Sequence, residues 1–387
     1  MEKEFDFEDM RSYTDEEINA AIMRVTEIPE INDVLRFIFP DKDPSETINK
    51  LRRINNVRDF QHQFIAPLIL GLIQNKQSSV FLNGIEQLQK EKKYLFISNH
   101  RDIIMDAGIL NSLLDKNGWE TTEIAIGDNL CVKPWISDSL RMNRCFLVKR
   151  SGTKRDLFNA FIKLSAYIRR NITEMRNSVW IAQREGRAKD SNDSTQESLL
   201  KMLSISSVGS LKKGFLDLNI APISISYEYD SCDYLKAKEF QQKRDDANYQ
   251  KTKADDLLNM KVGIMGYKGR IYYEMTPVIN DEIEESISEE DNRSTVLNKV
   301  AQLIDYRIHK NYHIFPINYI ALDKRNLQET YLGTQYTAEE KEAFEQYVDH
   351  QIEKIDLPNK DIPFLKESFW MMYSNPLINH LKALETH

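Results

Sequence analysis

The residues best suited to chemistry stand together in the stretch Ser98-Asn99-His100-Arg101-Asp102-Ile103-Ile104-Met105-Asp106. An imidazole exchanges protons near neutral pH, and a carboxylate bonded to one ring nitrogen leaves the other nitrogen free to act as a general base. Either Asp102 or Asp106 is close enough in sequence to orient His100, and the sequence leaves that choice open. No Gly-x-Ser-x-Gly motif supplies an enzyme nucleophile. The simplest prediction is that His100 takes a proton from a substrate hydroxyl.

The elements on either side of this stretch would hold it rigidly. The apolar run at residues 94–97 is typical of a short buried strand, and a helical pattern of Ile and Leu follows from Ile103 to Leu114. A turn between a strand and a helix exposes its side chains while rigid elements fix their positions. The sequence therefore predicts a site at this turn.

Two further strand ends carry charged residues. Lys149 and Arg150 directly follow the apolar run at 146–148, in a stretch where residues 133–170 hold ten Lys or Arg against two Asp. Glu185, Gly186 and Arg187 follow a second apolar run at 180–182. Ligands of α/β sheets bind at strand ends, and a guanidinium matches a phosphate geometrically. The first strand end is therefore a candidate for phosphate binding. At the second, Gly186 would permit a tight turn or the close approach of a ligand, and a structural ion-pair network is the alternative.

The pattern along the chain predicts an α/β fold with a mixed sheet, flanked by helices and extended by helical regions at both ends. Short β-rich runs at 79–82, 94–97, 121–126, 145–148, 178–182, 220–227 and 270–275 alternate with helical periodicity. We expect a helical N-terminal region at 1–75, an α/β domain at 76–290 and a helical C-terminal region at 291–387. Residues 235–262 are highly charged and are predicted to form an exposed helical excursion.

Composition excludes several classes of protein. The net charge of −8 argues against a general nucleic-acid binder, and no apolar run approaches the ~20 residues that span a bilayer. The three cysteines lie far apart without metal-ligand spacing, and the acidic N-terminus has no apolar signal-peptide segment. We expect a cytoplasmic protein with reduced thiols and no bound metal.

Four stretches together resemble the glycerolipid acyltransferase family, which includes glycerol-3-phosphate and 1-acylglycerol-3-phosphate acyltransferases. The resemblance covers roughly residues 78–280. Its blocks are similar to Asn99-His100 with Asp106, to 127–134 with 146–150, to Glu185-Gly186 with Arg187, and to the Pro-containing run at 220–224. Each block alone is a weak signal, but four in the right order are a strong one.

The chain departs from the family pattern at two places. Five residues separate His100 from Asp106, where the family usually has four, and Asp102 stands where the family often has a small polar residue. Arg187 follows Gly186 directly, without the intervening residue that the family has. The first departure keeps both aspartates open as the orienting carboxylate, and the second makes the role of Arg187 less secure than those of Glu185 and Gly186.

The resemblance implies an acyltransferase of phospholipid biosynthesis. His100, oriented by an aspartate, would activate a hydroxyl of glycerol-3-phosphate or lysophosphatidate to attack an acyl thioester of coenzyme A or acyl carrier protein. Lys149, Arg150 and Arg187 would hold the acceptor phosphate, with no cofactor besides the thioester co-substrate. A non-catalytic lipid-binding or scaffold protein, and an acyltransferase for another lyso-lipid, remain alternatives.

A lipid product made without a membrane span predicts peripheral contact with the inner face of a membrane. Anionic lipid would meet the basic stretch. Shallow insertion would involve the apolar segment at 64–73 or the aromatic segment at 369–373. For the aromatic segment, core packing is the favoured interpretation, and contact with a membrane interface or a partner is the alternative.

Overall fold

The computed structural model describes residues 5–39 and 42–385, so part of the acidic N-terminus discussed above lies outside it. Within these residues the strands are β1 (Ser79–Asn83), β2 (Leu95–Ser98), β3 (Glu123–Gly127), β4 (Cys145–Val148), β5 (Val179–Ala182), β6 (Ile220–Tyr227) and β7 (Arg270–Met275). Each predicted β-rich run overlaps one of them, and the ends differ by at most two residues. Periodicity located the strands because their apolar side chains form the core.

The strands form a single sheet in the order β1-β7-β6-β2-β5-β3-β4. Neighbouring strands from β6 to β4 are parallel, β7 is antiparallel to β6, and β1 is parallel to β7. The predicted mixed sheet is therefore confirmed. All four residues of β2 are buried, as expected for a central strand covered on both faces. The carboxyl ends of β2, β3, β4 and β5 meet at one edge of the sheet.

Helices make up most of the remaining described chain. They are α1 (Asp15–Thr26), α2 (Glu30–Ile38), α3 (Pro44–Leu51), α4 (Val57–Phe60), α5 (Ala66–Asn75), α6 (Met105–Lys116), α7 (Pro134–Met142), α8 (Lys154–Thr173), α9 (Glu197–Ser204), α10 (Leu211–Leu216), α11 (Asp233–Asp245), α12 (Lys253–Met265), α13 (Asn280–Ser286), α14 (Arg293–Lys310), α15 (Pro316–Asn326), α16 (Ala338–Glu353) and α17 (Ile362–Glu385).

Two apolar layers cover the sheet. One face packs against α8, α9, α10, α13 and α14, and the other packs against α5 and α6. The N-terminal helices α1 to α4 share a cluster of their own, which includes Met142 at the end of α7. A fourth cluster joins α15, α16 and α17 to α11. Both helical regions thus pack against the α/β core through specific helices.

This packing corrects one sequence expectation and decides between the two interpretations of another segment. The segment at 235–262 belongs to two helices, α11 and α12, joined by a loop at 246–252. It is not uniformly exposed, because Lys236, Ala237 and Glu239 of α11 are buried beside the C-terminal helices. The aromatic segment at 369–373 belongs to the core: Phe369 is fully buried and Trp370 is 9% exposed. Core packing, rather than membrane contact, explains why that segment is rich in large side chains.

Within residues 5–39 and 42–385, none of the helices is both long and apolar enough to cross a bilayer.

Candidate active site

His100 follows β2 and bonds to a single carboxylate. Its Nδ1 lies 2.8 Å from Oδ2 of Asp106, at the start of α6. The Asp106 side chain is fully buried, whereas that of His100 is 13% exposed and lines a cavity. Because a carboxylate accepts, Nδ1 carries the proton toward Asp106, and Nε2 is left as the ring nitrogen available to a ligand. This arrangement suits a general base.

Asp106 is itself fixed by the backbone of the turn. Its Oδ2 accepts hydrogen bonds from the N–H groups of Arg101, at 2.6 Å, and Asp102, at 3.0 Å. The hydroxyl of Tyr273 donates to the Asp106 carbonyl at 2.8 Å. With His100 Nδ1, the two backbone N–H groups give Asp106 Oδ2 three donors. The carboxylate is therefore held in a single position, and so is the imidazole that it orients.

Asp102, the other aspartate that the sequence left open, has a different role. Its Oδ1 accepts from the backbone N–H groups of Ile104, at 3.0 Å, and Met105, at 2.8 Å, and so caps the first turn of α6. No hydrogen bond joins it to His100 in the described chain. Compared with the family pattern, this chain has one extra residue between His100 and Asp106. That residue lies in the capped turn, and the Asp106 carboxylate still reaches the imidazole.

Helix α12 packs against the Asp102 side chain. A Cβ atom at Gly263 would overlap the Asp102 carboxylate, so only a glycine permits this approach of the helix. Burial raises the pKa of Asp102, although the nearby ammonium of Lys268 opposes that effect. Burial in turn lowers the pKa of Lys268. The second half of the predicted excursion is therefore part of the wall behind the turn.

Neighbouring strands tie the turn in place from both sides. The side-chain amide of Asn99 exchanges two hydrogen bonds of 2.8 Å with the backbone of Ile225 in β6. On the other side, the indole N–H of Trp180 in β5 donates to Ser98 Oγ at 3.0 Å, and its ring stands edge-on to His100. These contacts fix where the imidazole faces the cavity.

The cavity beside His100 has a volume of about 730 Å³. One part of its wall is apolar and is contributed by β3, β4, α8 and α9. The other part carries charge, mainly from the segment after β5 and from the start of α12. The apolar lining includes Ile124, Ile126, Leu130, Val148, Phe161, Leu164, Leu199 and Met202, and the cationic lining comprises Arg150, Arg184, Arg187, Lys189 and Lys251. Such a cavity suits a ligand with an apolar and an anionic part.

Two of these cations have no carboxylate partner within the part of the chain that the structure describes. Arg187 donates from Nη2 to Asn259 Oδ1 at 2.8 Å, while its buried Nη1 has no hydrogen-bond partner. The buried Nε of Arg184 also lacks one. Unpaired buried N–H groups are costly unless a ligand or water supplies an acceptor. Burial opposes the charge of Arg187, but nearby groups that include Asp230 and Asp102 raise its pKa, so its guanidinium stays charged beside the cavity. Arg184 and Arg187 are thus the lining cations that form no ion pair among the described residues and that leave buried N–H groups for a ligand.

The structure separates the remaining sequence candidates. Arg150 lines the cavity, but it forms an ion pair of 2.8 Å with the exposed Glu185. Gly186 adopts a left-handed backbone with φ of +67°, which the tight turn after β5 requires. Lys149 is exposed and is not among the residues that line the cavity. Lys149 is thus the one phosphate-binding candidate that the fold does not bring to His100.

Sequence reasoning missed three cations at this site. Arg184 lies between the apolar run at 180–182 and Glu185, so its position at a strand end was a signal that could have identified it. Lys189 and Lys251 line the cavity in ion pairs with Glu239 and Asp256. No local pattern points to Lys251, because α12 reaches the cavity only through the tertiary fold.

Among the described residues, no group of three or more His, Cys, Asp or Glu side chains is arranged to hold a metal ion.

Comparisons with known proteins agree with the motifs. Residues 79–226 match the family model described as Acyltransferase. Among solved structures, the fold is similar to the 1-acyl-sn-glycerophosphate (LPA) acyltransferase PlsC from Thermotoga maritima, at 10% identity and a TM-score of 0.40, covering 75% of this chain and 93% of that one. That likeness is too distant to inform substrate or mechanism. No curated protein sequence matches the chain significantly. The matched span, 79–226, contains all four motifs, so this part of the chain is similar to the Acyltransferase family model.

Proposed function

We propose that this acyltransferase moves a fatty acyl group from an acyl thioester to a hydroxyl of glycerol-3-phosphate or lysophosphatidate. The observation that carries the proposal is one cavity shared by a carboxylate-oriented imidazole and two guanidinium groups without carboxylate partners. The imidazole suits activation of a hydroxyl, and the guanidinium groups suit recognition of a phosphate on the same acceptor. The thioester donor is carried by coenzyme A or by acyl carrier protein.

The proposed reaction needs no enzyme-bound intermediate. Nε2 of His100 accepts the proton of the acceptor hydroxyl while the oxygen attacks the thioester carbonyl. Asp106 stabilises the imidazolium that forms. The tetrahedral intermediate collapses as the carbon–sulfur bond breaks, and the imidazolium returns its proton to the departing thiolate. Ester and free thiol are the products, so the protons balance.

Arg187 and Arg184 are proposed to hold the acceptor phosphate, with Arg150 and Glu185 at the edge of the same cavity. An acceptor phosphate would give their unpaired N–H groups an acceptor and would fix the hydroxyl near His100. Fixing both reactants in this way makes attack effectively unimolecular. The acyl chain is proposed to occupy the apolar part of the cavity, on the side of β3, β4 and α8.

The test is thiol release from a long-chain acyl thioester, measured with each acceptor for wild type, His100→Ala and His62→Ala. His62 is a matched control because its Nδ1 also lies 2.8 Å from a carboxylate, that of Asp115, but its side chain is 66% exposed and does not line the cavity. We expect acceptor-dependent release that falls about 10³-fold in folded His100→Ala and is unchanged in His62→Ala.

Each outcome of that test has a clear meaning. The acceptor with the higher kcat/KM names the step that the enzyme catalyses. Release that persists in His100→Ala would exclude the proposed mechanism. If coenzyme A and carrier-protein donors both give no release with glycerol-3-phosphate or lysophosphatidate, the proposed acceptor is wrong. A lipid-binding protein, or an enzyme for another lyso-lipid, would then account for the cavity.

A further inference from the structure

Large apolar side chains are exposed on the elements that surround the mouth of the cavity. Phe158 is 57% exposed and Leu257 is 50% exposed, which is unusual for side chains of this size. The set, called the apolar rim below, consists of Phe37, Val132, Phe158, Phe161, Leu257 and Leu258. A structural explanation is needed because none of these side chains contributes to the four apolar clusters of the core.

On one side of the mouth the rim follows α8. Phe161 lines the cavity and is also exposed to solvent. Phe158 lies one turn earlier on the same face of the helix, because residues three apart are neighbours on a helix surface. The exposed cations Lys154 and Arg155 occupy the first turn of α8, next to Phe158. This side therefore combines two aromatic rings with two positive charges.

On the other side the rim follows α12 and α2. Asp256 of α12 lines the cavity, and Leu257 and Leu258 come next in the helix. One turn further, the ammonium of Lys261 lies 5.4 Å from the ring centre of Phe37 in α2. Val132 completes the rim in the loop after Leu130, which also lines the cavity. All six apolar side chains thus lie on elements that line the mouth or contact one that does.

The charge on the α8 side of the rim is positive. Lys149, Lys154, Arg155 and Lys253 form no ion pair with another described residue. On α8, Asp156 is the acid that faces Lys154 and Arg155, whereas at the start of α12 the acids Asp255 and Asp256 balance Lys251 and Lys253. The excess of cations therefore lies on the α8 side of the rim, within residues 133–170, which hold ten Lys or Arg against two Asp in a chain whose net charge is −8.

We propose that the apolar rim seats the cavity mouth on the surface of an anionic phospholipid bilayer. Exposed Phe and Leu side chains flanked by lysines are the composition that inserts shallowly at an anionic interface. The inference rests on the proposed function in one respect: the amphiphilic substrate or product of that reaction would pass directly between the cavity and the bilayer. It replaces the two insertion segments expected from sequence, because Trp370 is in the core and Ile69, Leu72 and Ile73 of the segment at 64–73 are buried.

The experiment is co-sedimentation of the full chain with vesicles of phosphatidylcholine alone or with 30% phosphatidylglycerol. One variant, Phe158→Ser/Leu257→Ser/Leu258→Ser, removes apolar area, and another, Lys154→Glu/Arg155→Glu, reverses charge at a helix start that tolerates Glu. The controls are Leu327→Asn, which alters a 93% exposed leucine at the end of α15, and Lys90→Glu/Lys92→Glu, which makes the same charge change at the opposite edge of the sheet.

We expect wild type and both controls to bind the anionic vesicles, and each rim variant to bind at least tenfold more weakly. Equal binding by rim variants and controls would overturn the proposal. The proposal would also be overturned if the rim variants bound vesicles as wild type does but no longer bound holo acyl carrier protein, because the rim would then be a docking surface for an acidic protein. Thiol release with a detergent-dispersed acceptor separates the two proposals: rim variants keep this activity if the enzyme assignment is right, and vesicle binding reports on the rim even if it is wrong.

Discussion

Two His–Asp pairs in this protein share the same local geometry and differ in everything around it. In both, Nδ1 lies 2.8 Å from a carboxylate oxygen: His100 on Asp106, and His62 on Asp115. The His62 side chain is 66% exposed, whereas the His100 side chain is 13% exposed beside a cavity. The pair distance alone therefore does not identify a site for chemistry.

The difference lies in what holds the carboxylate and what faces the imidazole. Asp106 is fully buried and accepts two backbone N–H groups besides the histidine. Asp115 is near the end of α6, and its partner, His62, is an exposed side chain, so water competes for the contact and the pair contributes at most about 1 kcal/mol. A fixed carboxylate can impose one ring orientation, and a cavity gives that ring something to act on.

The strongest test of this contrast removes the negative charge from each pair. We expect Asp106→Asn to lower kcat about 10³-fold or more, because an amide no longer selects the tautomer or stabilises the imidazolium. Asp115→Asn should leave kcat within twofold of wild type. The measurement is thiol release at saturating acceptor, with near-ultraviolet circular dichroism to show that both variants fold. Equal effects of the two substitutions on kcat would show that neither the burial of the carboxylate nor the cavity beside His100 distinguishes the two pairs.

A second test sharpens the contrast through the groups that face His100. We expect Arg187→Gln to raise KM for a phosphorylated acceptor about 10- to 100-fold, since a charge-assisted hydrogen bond contributes about 1.5–3 kcal/mol. Arg176→Gln is the control, because Arg176 is exposed and pairs with Glu174 away from the cavity. Steady-state kinetics on glycerol-3-phosphate or lysophosphatidate would measure the effect. An unchanged KM would assign the phosphate to other residues.

The smallest effect is expected at Asp102, the aspartate that caps α6 instead of orienting the imidazole. Because burial raises the pKa of Asp102 in the folded state, the unfolded chain releases this proton first as pH rises. Wild type therefore loses stability relative to Asp102→Asn as pH rises above about 3.9. An asparagine oxygen can still accept from Ile104 and Met105, so kcat should stay within about tenfold.

Urea unfolding of wild type and Asp102→Asn at pH 4.5 and pH 7.5 measures this difference. The variant should gain stability relative to wild type at the higher pH. A stability difference that does not change with pH would show that Asp102 is not held at a raised pKa. A loss of kcat as large as that of Asp106→Asn would return Asp102 to the orienting role that the sequence left open.

The fold was predictable because its signals are local. Seven β-rich runs correspond to seven strands. The central strands, such as β2, are apolar because both of their faces are buried, and β7 near the side of the sheet shows the alternation of a half-buried strand. The candidate site was predictable in part for a related reason. His100 and Glu185 to Arg187 each follow a buried strand, and carboxyl ends of neighbouring parallel strands meet at one edge of a sheet.

The sequence by itself therefore determined the α/β class, the acyltransferase motifs and the position of His100. Only the tertiary structure decided which aspartate touches the imidazole, because a difference of one residue in a turn changes the direction of every side chain after it. It also placed Lys251 and Gly263 at a site some 150 residues away in sequence, buried Trp370 and left Phe158 exposed. Exposure and long-range contact depend on which elements pack together, and no local pattern of residues records that.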